Sequence, residues 1–264
     1  MLSTFIAVFL VFVSYFFDKT VRTQLLGLVP TLGVLYTNSK NYPVVDMIKP
    51  RRLLRQCEAY ARAAGKQVLL RVWRRKFCND ITQYPSPYRL HLGCGDHRLH
   101  GWVNIDLVRH AGADIQWNVC EEFPLPSASC QYIFHEHLLE HFSVEEGLRM
   151  LDECHRLLMP GGVLRVAMPS LEVMLASCSD GSWKDKKSVH MPPVETRAEY
   201  LNIYFRRWGH KWIYDREELH RRLREAGFRT ITDCQRSVST VPVLNNLECR
   251  PDSLLICECV REVD

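Results

Sequence analysis

From Tyr88 onward the apolar residues fall into short runs separated by polar or glycine-rich breaks. Tyr88 to Leu92, Trp102 to Ile105, Ala113 to Trp117, Cys130 to Phe134, Val163 to Met168, Phe228 to Cys234 and Ser253 to Val260 have the length and composition of buried strands. Longer stretches carry helical spacing instead. Ser143-x-x-Glu146 is a capping box, and Val144, Leu148, Leu151, Cys154 and Leu158 form a stripe behind it that ends at Pro160-Gly161-Gly162. Glu195 to Arg207 returns to that spacing with Tyr200, Tyr204 and Trp208 along it. Asp215-x-x-Glu218 then opens a helix through Leu219 and Leu223 that stops at Gly227. Ser179 to Pro193, polar and Lys-rich, is expected to be a mobile loop over the site.

The N-terminal third has a different texture. Leu2 to Phe17 carries no charge and is closed by Asp18, Lys19 and Arg22. A full membrane span needs about 20 apolar residues, so this stretch is short, yet it is too apolar for an exposed helix. It is expected to meet a membrane. The basic residues on its C-terminal side would then keep the rest of the chain facing the cytosol. No Lys or Arg precedes it, unlike a standard signal peptide; an organelle transit peptide or a helix packed on the domain are the alternatives. Leu25 to Tyr36 is also apolar but is broken by Pro30 and Gly33. Arg51 to Phe77 sets nine Lys or Arg against the single Glu58, with Leu53, Cys57, Tyr60, Ala64, Val68 and Val72 at helical steps. That is a basic amphipathic helix suited to anionic headgroups, with a solvated face or RNA as competing readings. Pro85-Ser-Pro87 is expected to be an extended linker. The chain thus divides into an apolar segment over 1–40, a basic linker over 41–83 and a folded domain over 84–264.

With 264 residues, 47% of them hydrophobic, the chain can bury one sizeable core. A formal net charge of +4 does not point to a nucleic-acid binder. The 11 cysteines are odd in number and lack any Cys-x-x-Cys, which fits reduced thiols rather than a disulfide scaffold or zinc ribbon. Cys257-x-Cys259 is read as part of a strand.

Arg89-Leu-His-Leu-Gly-Cys-Gly95 sets a glycine turn directly behind the first strand, and Gly101-Trp-Val-Asn-Ile-Asp106 ends the second in a carboxylate. A turn without side chains lets a ligand touch backbone, with N–H groups beside an anionic or zwitterionic tail, and an acid closing the next strand suits a ribose diol. With Leu139-Glu-His141, Leu158-x-Pro-Gly-Gly162 and His210-x-Trp-x-Tyr-Asp215 in the same order, the chain resembles class I S-adenosylmethionine (SAM)-dependent methyltransferases over roughly Tyr84 to Val260. The resemblance implies a Rossmann-like fold with a seven-stranded, mainly parallel sheet and an antiparallel last strand. It further implies SAM as cofactor, held by Leu92, Gly93, Cys94, Gly95, Asp106, Leu107, Asn118, Val119 and His135. Several positions depart from the family pattern. His97 replaces a third glycine, His91 stands where an acid is usual, Asn118 replaces an Asp, and the short run between Gly95 and Asp106 leaves room only for a loop or a single turn. Asp106 has a simpler reading as a cap on the following segment.

His135-Glu-His-Leu-Leu-Glu-His141 follows the fourth strand, at the edge where open α/β sheets bind ligands. Spacing puts His137, Glu140 and His141 on one face of a helical turn, where they could share a divalent metal, with His210 as a fourth candidate. A similar Glu-x-x-Glu-His stretch holds a metal in the small-RNA 2′-O-methyltransferases. His-x-x-Glu-His is also a zinc-peptidase signature, but here it does not sit on a long helix. The expected catalytic set is His141 as base, Glu140 holding its ring and His210 approaching from the late segment; simple bracing of the loop is the alternative. The acceptor is expected to be a hydroxyl of a small molecule, a lipid head group or a sugar. A rival reading is a membrane-tethered interaction protein with a catalytically degenerate fold.

Overall fold

A computed structural model describes residues 70–109, 112–185 and 193–262. The apolar N-terminal stretches, most of the basic stretch and residues 186–192 of the expected loop lie outside the described residues. Among the described residues no helix is long and apolar enough to cross a membrane.

The apolar runs become β1 (Tyr88–Leu92), β2 (Val103–Asp106), β3 (Ile115–Gln116), β4 (Cys130–Glu136), β5 (Leu158–Met168), β6 (Thr230–Asp233) and β7 (Leu255–Val260). They form one sheet in the order β3-β2-β1-β4-β5-β7-β6. The first five strands pair in parallel, and β7 runs antiparallel to both β5 and β6. Because β1 lies between β2 and β4, the winding reverses there. The carboxyl ends of these strands therefore open the crevice in which α/β sheets take ligands.

Among the described residues five α-helices accompany the sheet: α1 (residues 70–81), α2 (Val144–Leu157), α3 (Leu171–Asp180), α4 (Arg197–Arg206) and α5 (Arg216–Glu225). Strand alternation sorts side chains to two faces. On one, Leu90, Ile133, Leu164 and Cys259 share an apolar cluster with Phe77, Met150 and Leu223 from α1, α2 and α5. On the other, Phe134, Val163, Ala167 and Ile256 pack against Trp102, Leu244 and Leu247, so the largely non-helical segment 234–254 supplies the cover. Arg165, fully buried on this second face, donates to Glu248 and Glu258 at 2.5 Å each and to the carbonyls of Gln235 and Val238 at 3.2 Å. Two carboxylates and two carbonyls satisfy a guanidinium that would be costly to bury alone, and they tie the segment to the sheet.

Several expected details shift. The capping box of α2 is present, but the buried face is Gly147, Met150, Leu151, Cys154 and Leu157 rather than the Val144/Leu148/Leu158 register. Gly147 sets that rotation, because a Cβ there would lie 3.1 Å from Leu139 and 3.4 Å from the Tyr214 hydroxyl. In α1, Val72 is exposed and the buried face is Phe77 and Ile81, since Phe77 packs edge-on against Trp117 and Phe123 at 5.4 and 5.9 Å. That helix belongs to the same core as the sheet, so the folded unit begins before Tyr84. Residues 82–87 turn rather than extend. The expected loop from Ser179 starts later, since α3 continues to Asp180, caps at Gly181 and is followed by a short turn that buries Trp183.

Candidate active site

Gly93 follows β1 with φ +65, and a Cβ there would fall 2.6 Å from Leu138 Cδ1. The turn therefore needs glycine on two counts. Its amides are not turned toward a ligand as the sequence suggests: Gly93 and Cys94 N–H donate to the Ile105 carbonyl at 2.8 and 3.2 Å, and Gly95 N–H donates to Asp106 Oδ2 at 2.9 Å. Asp106 Oδ1 accepts from Val108 N–H at 2.9 Å, so this carboxylate braces the turn as well as closing β2.

No helix joins β1 to β2, as the short spacing requires. Asn104 takes over the bracing. Its side-chain amide donates to the carbonyls of Leu99 and Trp102 and to Asp114, at 3.1, 3.2 and 2.8 Å. Its Oδ1 accepts from Leu99 N–H at 2.9 Å and meets His91 Nδ1 at 3.1 Å. Gly112 presses on the same turn, where a Cβ would lie 2.6 Å from the Gly95 carbonyl oxygen.

A cavity of about 1150 Å³ opens beside Gly93 and Cys94; its wall includes His97, Glu136, His141, Tyr204, His210 and Arg250. That volume lies just above the usual range of about 300–1,000 Å³ for small-molecule sites. Of the residues expected to hold cofactor, Gly93 and Cys94 line it. Asp106, Leu107, Asn118 and Val119 fall outside it, at the ends of β2 and β3. Asn118 Oδ1 accepts from Cys120 N–H at 3.1 Å, Val119 is buried and Leu107 is exposed. His135 is 0% exposed, pairs in register with Leu92 and Val166, and finds no hydrogen-bond partner for either ring nitrogen. Burial lowers its pKa to about 3, which keeps it a neutral member of the core.

The strand continues through Glu136, so the expected helical turn starts late. His137 adopts φ +50, and a single 3₁₀ turn covers Leu139–His141. His137 consequently stays 3.5 Å from Glu140 but does not join a common group with His141 and His210. Glu140, His141 and His210 place one ligand atom each within 4.8 Å of one another, and that group excludes His137. The His141 and His210 rings meet edge-on, with centroids 5.0 Å apart. Lys211 and Trp212 N–H donate to the Glu140 carbonyl at 2.8 and 3.2 Å, which is how the late segment is brought to the cluster.

Glu140 does not hold the His141 ring as expected. Its carboxyl oxygens have no hydrogen-bond partner and lie 3.5 Å from His137 Nδ1 at closest. Burial raises its pKa to about 8, so it is mainly protonated at neutral pH. The partner that fixes a ring is instead Tyr204, whose carbonyl meets His210 Nδ1 at 2.8 Å. A carbonyl only accepts, so Nδ1 carries the proton and Nε2 keeps a lone pair. Burial lowers the pKa of both His141 and His210, and their mutual proximity lowers His141 further. Both are neutral imidazoles near pH 7.

This gives a stability prediction. The folded pKa of Glu140 stands above its ordinary 4.5, so its contribution is full below that value and is lost as pH rises toward about 8. His91 and His137, held down to about 4 by burial, act in the opposite sense and only below about 6.5. In urea unfolding between pH 6.5 and 8, wild type should therefore lose more stability than Glu140→Gln; equal losses would mean that Glu140 is ionised in the fold.

Residues 103–166, from β2 into β5, match a family model described as a methyltransferase domain. That match, together with the strand order, makes the domain similar to the SAM-dependent methyltransferases. Solved structures that resemble it include a SAM-dependent methyltransferase of Thermotoga maritima, described as a possible histamine N-methyltransferase, with 14% identity, TM-score 0.44, and coverage of 76% of this chain and 97% of that one. Another is a SAM-dependent methyltransferase of Archaeoglobus fulgidus, with 15% identity, TM-score 0.41, and coverage of 73% and 92%. The CurJ carbon methyltransferase matches at 12% identity and TM-score 0.40 over 69% of this chain, which spans about half, 51%, of that one. No curated protein matches the chain.

The pocket fits SAM. Gly93 and Cys94 lie on its wall, acids at Asp96, Glu136 and Asp252 suit the cofactor's cationic groups, and Arg207 and Arg250 suit its carboxylate. Sequence reasoning passed over Glu136. It accepts from the N–H groups of Cys249 and Arg250 at 3.0 Å each, from Cys249 Sγ at 3.1 Å and from Ser253 Oγ at 2.5 Å. These bonds outweigh desolvation and hold its pKa below the usual value. They also anchor the 249–254 wall of the pocket. Strand parity was the available signal, because successive strand residues face opposite sides and Glu136 cannot share its direction with His135.

Proposed function

We propose that the protein methylates a hydroxyl group of an acceptor bound over His141 and His210. One observation supports this most: two neutral imidazoles, one with its tautomer fixed by Tyr204, share a cavity wall with the Gly93–Cys94 turn. SAM, when bound, supplies an electrophilic methyl on a sulfonium that leaves as a neutral thioether. Gly93 and Cys94 would border it, with Asp96 and Glu136 toward its cationic groups and Arg250 toward its carboxylate. His210 Nε2 can take the hydroxyl proton as the oxygen attacks, and His141 keeps that ring in place. Tyr204 and Trp208, with centroids 6.1 and 5.8 Å from His210, offer flat apolar surfaces that suit a ring-bearing acceptor. A sugar or a lipid head group meets both requirements. Purified protein should bind S-adenosylhomocysteine at micromolar levels by calorimetry. Gly112→Ala should weaken that binding by about tenfold or more, because its Cβ would meet turn backbone 2.6 Å away. Wild-type protein without measurable affinity would overturn the assignment.

Membrane attachment through Leu2 to Phe17 is part of the same proposal, supported by that segment's uncharged sequence. Deleting Met1 to Phe17 should move the protein from the membrane to the soluble fraction and leave cofactor affinity unchanged. A full-length protein found only in the soluble fraction counts against it.

A further inference from the structure

A second group of metal-ligating side chains stands apart from the cavity, where α5 crosses the β6/β7 edge of the sheet. Asp233 and Cys257 are direct partners across the antiparallel pair, and His220 reaches them from α5. His220 Nε2 lies 2.8 Å from Asp233 Oδ1 and 3.4 Å from Cys257 Sγ, and Sγ lies 3.5 Å from Oδ1. The same ring nitrogen faces both the acid and the thiol. That arrangement differs from a nucleophile relay, in which acid and nucleophile occupy opposite nitrogens. One Nε2 cannot serve two partners fully, whereas a cation at the centre of the triangle would bind all three atoms. Arg216 grips the other oxygen of Asp233 at 3.4 Å, which turns Oδ1 inward.

We propose that His220, Asp233 and Cys257 form a binding site for one zinc ion. Nitrogen, oxygen and sulfur at about 2.0–2.3 Å from zinc in a tetrahedron stand roughly 3.3–3.6 Å from one another; the two sulfur spacings match this, and the 2.8 Å contact between His220 and Asp233 would open by about half an ångström as the ion replaces their shared proton. Three protein ligands leave the fourth position to water. A thiolate favours zinc over magnesium or calcium, and binding replaces the Cys257 S–H bond with an S–Zn bond and releases that proton to solvent. The ion would clasp α5 to the β6/β7 edge, so its effect falls on stability and not on the cavity.

Cobalt(II) is the probe that tests this on the full, metal-stripped protein. Wild type should take up one equivalent into this site with a sulfur-to-cobalt charge-transfer band, release it to zinc, and gain thermal stability with either ion. Cys257→Ala should lose the band, and His220→Ala should bind at least tenfold more weakly. Cys249→Ser should retain the band, as should His141→Ala/His210→Ala, which keeps the cavity cluster separate. If Cys257→Ala fails to fold, the half-exposed Asp233→Asn is the alternative and should bind at least tenfold more weakly. A band that forms at the same cobalt concentration without His220 or Asp233 as with them, or a wild type that shows none, overturns the site.

Discussion

Replacing His141 or His210 by alanine is expected to lower turnover by about 10²-fold or more, while S-adenosylhomocysteine affinity stays within a few-fold. The rings touch at 5.0 Å between centroids and form one unit on the cavity wall. Groups that act as a unit lose their effect together, so the double variant should be little slower than either single one. Additive losses would mean two separate roles. Because burial holds both pKa values below the ordinary 6.5, the rate should rise with pH only below that value and be flat near neutrality. The cluster also has the donors for a divalent ion. If a chelator mimics the substitution and an added ion restores the rate, Glu140, His141 and His210 are ligands and the general-base reading fails. If either alanine variant loses cofactor binding or unfolds, the histidines are braces.

The other large effect lies behind the site. Arg165→Leu would leave Glu248 and Glu258 buried without their cation, at a cost of about 3–5 kcal/mol. Urea denaturation should show that loss, and the triple variant Arg165→Leu/Glu248→Leu/Glu258→Leu should recover much of it, because no stranded charge remains. A single variant as stable as wild type would show that the segment over the second face is held by its apolar contacts alone.

What could be read ahead of the structure was what is encoded locally. Capping signals at Ser143 and Asp215, the stop at Gly227, the strand runs and the short first crossover all emerged where neighbouring residues dictate them. The histidine-rich stretch was harder, because strand and turn meet inside it and the change occurs at a single residue, His137, in a left-handed conformation. A helical projection across that break put His137 in one group with Glu140, His141 and His210, and the structure groups only the last three. The brace on His210 is a main-chain carbonyl, which no side-chain pattern reveals. Arg165 finds its acids 83 and 93 residues away, and the contact between Gly112 and the Gly95 turn depends on how two loops stack. Pairings of that kind follow from topology and not from spacing.

The position of β7 has a consequence in time. It lies between β5 and β6, pairing with residues 163–168 on one side and 230–233 on the other. β6 therefore has no place in the sheet until a strand that follows it in the chain has docked. Such an ordering makes the closing step non-local and slow relative to helix formation. Until it happens, β5 is an open edge, the apolar residues of its second face are bare, and the 249–254 wall hangs between two unplaced strands. The 249–254 wall of the pocket thus reaches its place only with β7, and ligands that need this wall bind only after that strand has joined the sheet.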